Sequence, residues 1–203
     1  MVDIDFDACH IQMLYREKKK PAPENPYVFK KGDDDDKRNI AKKLLLTTLN
    51  YKRGDKETPG QVWRRVIYAS EVEADYHSDY DTVKGILFEL EELHAPIKED
   101  FYSGKGLSLQ NKEAEIMRKI MKSCINKDIP ILPCHDGCSV KASDAIRVKE
   151  IFDSVTPLPA TPEPLIGDPD KVKKKIEEWL YWNPCDKRHG DIKVEYKQII
   201  GTE

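Results

Sequence analysis

The sequence predicts an α+β fold, a small antiparallel sheet flanked by helices. Residues 2–7 alternate apolar and acidic side chains, with Val2, Ile4 and Phe6 on one face and Asp3, Asp5 and Asp7 on the other, the period of a half-buried strand. Residues 131–140, Ile-Leu-Pro-Cys-His-Asp-Gly-Cys-Ser-Val, read as an apolar strand, a tight polar turn and a second strand, with Gly137 supplying the turn's backbone freedom. Between these two features lie segments whose apolar residues recur at helical spacing.

Taken in order, the first strand runs into a helix over residues 8–18, where Ile11, Leu14 and Tyr15 share a face and Cys9 and His10 stand at the junction. Lysines 18–20 and Pro21, Pro23 and Pro26 then mark a loop. The run Asp33-Asp34-Asp35-Asp36 suits a helix start, where carboxylates complement the dipole. The helix over 38–50 carries Arg38, Lys42, Leu46 and Asn50 near one face, with Ile40, Leu44 and Leu45 toward the core. After a polar loop, residues 61–69 form a short helix with Trp63 in the core. Residues 71–81 have no clear period, and 82–93 form a helix on Val83, Ile86, Leu87 and Leu90. A further helix over 108–122 has Leu109, Ile116, Ile120 and Met121 as its apolar stripe and Gln110 near its start. After the hairpin, Ser143 caps a helix ending near Phe152. Four prolines make 156–164 a linker, Asp168-Pro169 opens a helix with Lys171, Lys173, Lys174 and Lys175, and 193–200 is a last strand. The expected organisation is a core over 1–155, a Pro-rich linker over 156–169 and an extension over 170–203.

Composition bounds the function. The 203 residues are 39% hydrophobic and 35% charged, with net charge −3, so there is no global nucleic-acid signature. No apolar run reaches membrane-spanning length, and the acidic N-terminus is no signal peptide. Five cysteines without a regular framework favour a reducing, cytoplasmic setting, in a bacterial, viral or host cell interior.

Four groupings bear on chemistry. Asp136 stands at a hairpin tip, where a carboxylate faces a ligand rather than the core; the ordinary alternative is a solvated turn. Three carboxylates on the first strand repel one another unless cations share their charge, the alternative being a solvated edge that discourages aggregation. Arg38 and Lys42, one helical turn apart, suit a polyphosphate clamp, against the commoner solvated basic face. Cys134, His135 and Cys138 with Cys9 and His10 make a weak zinc pattern, because Cys-x-x-x-Cys is looser than zinc-binding Cys-x-x-Cys pairs; Cys124 and Cys185 read as structural.

In this order the segments resemble the palm and fingers of family A DNA polymerases and phage-type single-subunit RNA polymerases, and most nearly polymerase-like proteins of phages and mobile elements. Asp5-Phe6-Asp7-Ala8-Cys9-His10-Ile11-Gln12-Met13-Leu14-Tyr15 is similar to their motif A, Arg38, Lys42 and Asn50 to the motif B helix, Leu109-Gln110 to the helix before motif C, and His135-Asp136 to motif C. The resemblance implies a polymerase-type palm with reduced helical fingers, acting as a template-directed nucleotidyltransferase in DNA replication. It implies that Asp5, Asp136 and the backbone carbonyl of Phe6 bind two Mg²⁺ (or Mn²⁺), and that Arg38 and Lys42 hold the nucleoside triphosphate. Asn50 then lies near the nascent base pair, Gln110 near the template-primer, His135 beside the primer terminus and His10 under the incoming sugar, favouring deoxynucleotides. Asn50 departs from the usual aromatic, and Gly137 from the usual Glu or Ser. In these families the thumb precedes motif A, so the expectation is a fragment, a reduced palm, or a separate chain that supplies the grip, with the lysines of 171–175 as a substitute grip on backbone phosphate.

Three other readings stay open: a single-subunit RNA polymerase or primase-like enzyme, a non-catalytic nucleic-acid-binding or assembly subunit with a relic palm, and a metal-dependent nuclease.

Overall fold

The computed structural model describes residues 1–29, 35–76 and 78–164. The lysine-rich helix, the last strand, Cys185, Asp33 and Asp34 lie outside the described residues. The protein is α+β, with strands β1 (Val2–Phe6), β2 (Ile131–Cys134), β3 (Gly137–Val140) and β4 (Ala160–Pro164). The helices are α1 (Cys9–Glu17), α2 (Asp35–Asn50), α3 (Pro59–Ser70), α4 (Val72–Asp75), α5 (Tyr80–Leu93), α6 (Gly106–Ile125) and α7 (Ala145–Val155). The described residues divide into two compact units, one of residues 1–7 and 114–164, the other of those between 8 and 113.

The first unit is built on an antiparallel sheet of order β2-β3-β1-β4. Alternation sends Ile4 and Phe6 to the core face, where they are joined by Cys138 and Val140 of β3. Helix α7 buries Val148, Ile151 and Phe152, and the Phe152 ring lies 5.1 Å from that of Phe6. Both edge strands carry prolines, Pro133 in β2 and Pro162 and Pro164 in β4. Proline removes an N–H donor and so blunts an edge against further pairing. The stretch expected as a linker is therefore corrected over Ala160–Pro164: it forms β4 and pairs with β1. Ser143 is corrected as well. It sits in a 3₁₀ turn over Ala142–Asp144, and α7 begins after Asp144 without a side-chain cap.

The second unit is helical. Helix α2 buries Ile40, Ala41, Leu44, Leu45 and Leu49, and α5 buries Val83, Ile86, Leu87 and Leu90. Thr58 and Gln61 form a reciprocal capping box that opens α3, and Asp79 caps α5 by accepting from the Thr82 N–H at 3.0 Å. His94 is wholly buried, and its Nε2 lies 2.8 Å from the Pro26 carbonyl, an atom that only accepts. Nε2 therefore carries the proton. Nδ1 lies 3.1 Å from the Tyr15 hydroxyl, which donates to it. Burial holds the His94 pKa below its ordinary value, as a neutral ring in this bridge requires. Trp63 is half-buried at the surface rather than in the core. Among the described residues no helix is long and apolar enough to cross a membrane.

Candidate functional site

The sheet places the acidic strand beside the hairpin. Asp3 pairs with Ser139 and Asp5 with Gly137 across β1 and β3, while Asp5 pairs with Thr161 on β4. Cross-strand partners share a face, so Asp3, Asp5, Gly137, Ser139, Thr161 and Glu163 lie opposite the α7-packed side. The carboxylates on either side of Asp5, Asp3 within β1 and Asp7 just past its end, take hydroxyl partners from different strands. Ser139 donates to Asp3, both buried, and Thr161 donates to Asp7 Oδ2 at 2.7 Å.

Asp5 is exposed, and its carboxylate leans over Gly137. A Cβ at position 137 would fall on that carboxylate and stand 2.7 Å from the Ile4 carbonyl oxygen. Asp136, half-buried, immediately precedes this glycine in the β2–β3 turn, so one predicted metal carboxylate comes from central strand β1 and the other from the turn that leads into its neighbour β3. Gly137 does not supply a left-handed turn, which corrects the role read for it. The positive φ of the hairpin, 48°, falls on the exposed His135. The glycine is needed because the space of its side chain is already filled by Asp5.

A second left-handed residue, Ala8 with φ 49°, turns the chain out of β1 and into α1. Non-glycine residues in this region are strained and collect at functional sites. Of the six such residues described, His135 adjoins Asp136 and Ala8 lies three residues after Asp5, while Lys19, Glu71, Tyr102 and Asp128 lie elsewhere.

The remaining predicted residues belong to the helical unit. Arg38 and Lys42 are exposed on α2, with the Arg38 guanidinium 5.2 Å from the Tyr27 ring centre. Asn50 ends α2 with its side chain against Gly106, the first residue of α6, where a Cβ would stand 2.6 Å from the Asn50 Cγ. Gln110 is exposed on the first turns of α6. His10 Nε2 lies 2.9 Å from Glu113 Oε2, although the alignment is not that of a directed hydrogen bond. Sequence reasoning missed Ser139, Thr161, Tyr27 and Glu113. Only Glu113 left a signal, one turn beyond Gln110 on the same helix. The others depend on strand register or a loop path.

Among the described residues no group of three or more His, Cys, Asp or Glu side chains is arranged to hold a metal ion. Asp5 and Asp136 offer hard carboxylate oxygens, the donor type of Mg²⁺, which binds through one or two carboxylates with substrate phosphates and water supplying the rest. Compared with family models, curated proteins and solved structures, the chain gives no match.

Proposed function

We propose that the protein is a template-directed nucleotidyltransferase of the DNA polymerase type. The observation that carries this reading is the Asp5 carboxylate lying over Gly137, next to Asp136, on the two central strands of a small antiparallel sheet. Asp5, Asp136 and the Phe6 carbonyl hold the divalent ions. Two Mg²⁺ or Mn²⁺ ions, when bound, offset the charge on the attacking and leaving oxygens of an in-line phosphoryl transfer. The protein then has mainly to position its substrates, the nucleoside triphosphate and the template-primer. Ser139 and Thr161 support that task by holding Asp3 and Asp7, so that the strand carrying Asp5 keeps its register. Arg38 grips the triphosphate with its planar fork and Lys42 with a point charge. The resemblance assigns Gln110 to the template-primer, Asn50 to the nascent base pair, His135 to the primer terminus and His10 to the incoming sugar.

A primer-extension assay with each template and nucleotide type tests this. Wild type should release pyrophosphate with extension, and prefer deoxynucleotides in direct competition with ribonucleotides. Asp5→Asn and Asp136→Asn should each lower incorporation by about 10²–10³-fold or more while leaving the unfolding transition cooperative. Undiminished incorporation by either variant, or release of mononucleotides in place of pyrophosphate, overturns the assignment.

A further inference from the structure

Helix α3 has no acidic residue among its twelve, and its outward side presents Arg64, Arg65 and Tyr68. Tyr68 is 81% exposed, more than any other large hydrophobic side chain of the described residues, and lies one turn beyond Arg64 on the same face. The pattern continues onto α5 through the rings of Tyr80 and Phe88 and that helix's single cation, Lys84. The Arg64 guanidinium carbon stands 6.0 Å from the Tyr80 ring centre. Lys84 Nζ stands 5.5 Å from the centres of both Trp63 and Phe88, which pack edge to face at 4.7 Å. From Lys52 to Arg65 five cations stand against two carboxylates. One of these, Glu57, already accepts from Tyr51 and the Gly54 N–H, each at 2.7 Å, and pairs with Arg65.

An aromatic side chain so open to water adds little to its own unit, and cations next to ring faces attract anions that carry flat groups. Single-stranded nucleic acid has both properties. Its bases stack on any aromatic face and its phosphates take Arg and Lys, without dependence on sequence. We propose that this face of α3 and α5 is a docking surface for single-stranded nucleic acid, with bases on Tyr68 and Tyr80 and phosphates at Arg64 and Lys84. The polymerase reading supplies the reason for such a strand to be present, but the contact itself needs no metal and no triphosphate.

The test is fluorescence anisotropy of a labelled oligothymidylate with the full chain, in chelator, over a series of salt concentrations. Tyr68→Ala should weaken binding about tenfold, since the exposed ring supports stacking and not the fold. Arg64→Gln combined with Lys84→Gln should flatten the salt dependence by about 0.7 log units per lost phosphate contact. Unchanged affinity in the first variant and unchanged slope in the second overturn the proposal. So does polyglutamate that binds as tightly and responds to the same substitutions, because the surface would then serve an acidic protein. If wild type extends no primer yet Tyr68→Ala lowers oligothymidylate binding, the catalytic reading fails and this surface stands. If extension proceeds and the binding ignores Tyr68, Arg64 and Lys84, the reverse holds.

Discussion

At position 137 one absent side chain decides whether two strands can approach. An added methyl meets the Asp5 carboxylate, which can swing away, and the Ile4 carbonyl at 2.7 Å, which is backbone and cannot. Gly137→Ala should therefore destabilise the protein by about 1–3 kcal/mol, the usual cost of overpacking. Asp5→Gly in the same chain should recover only part of that loss, because the clash with Ile4 remains. Urea unfolding of wild type, both single variants and the double variant measures the coupling; additive losses would mean that the carboxylate does not occupy this space. The glycine was readable in the sequence, but its reason was not. A glycine after His-Asp suggests turn freedom, and only the pairing of Asp5 with Gly137, between residues far apart in the chain, reveals a steric one.

Among the elements, β1 and the long helices follow from period, because each has a dry face that its spacing displays, whereas the hairpin follows from two apolar runs about a polar turn, its β2 being half-buried and its β3 buried throughout. Strand β4 does not. Its alternate prolines argue for a linker, yet on an edge strand a missing donor leaves the pairing side intact. The short α4 spans only Val72–Asp75, too few residues to show a period. Another connection invisible in sequence is the Tyr15–His94–Pro26 bridge, which ties α1, the end of α5 and the loop before α2. It makes a pH prediction. Burial lowers the folded-state pKa of His94 below the ordinary 6.5, so the unfolded chain binds the extra proton first. The stabilising contribution is complete above pH about 6.5 and is lost as pH falls from there through the folded-state value, with a slope of up to about 1.4 kcal/mol per pH unit. Glu57 and Asp79, held low by hydrogen bonds, act in the same direction but only below their ordinary values of 4.5 and 3.8. Denaturant unfolding at pH 7 and pH 5 should therefore show a loss in wild type that His94→Gln lacks. An equal loss in both would remove His94 as its source.

For the whole molecule, the arrangement of the two units along the chain predicts an order of folding. The helical unit is one continuous segment, residues 8–113. The sheet unit is not: its central strand is the first stretch of the chain, and its neighbours come from beyond residue 130. The hydroxyl–carboxylate pairs that hold this strand, Ser139 with Asp3 and Thr161 with Asp7, join residues 136 and 154 positions apart. Contacts of that separation require long loops to close before they are rewarded, whereas the α2, α3 and α5 packing closes short ones. Pulsed hydrogen exchange during refolding should accordingly protect α2, α3 and α5 before β1 and β4. Removal of residues 1–7 sharpens the expectation, because it takes away the strand that lies between β3 and β4. The shortened chain should lose protection throughout the sheet and keep it in α2 and α5. Simultaneous protection of β1 and α5 in the intact chain, or melting of α5 when the first strand is removed, would show that the two units fold as one and that the continuous segment has no stability of its own.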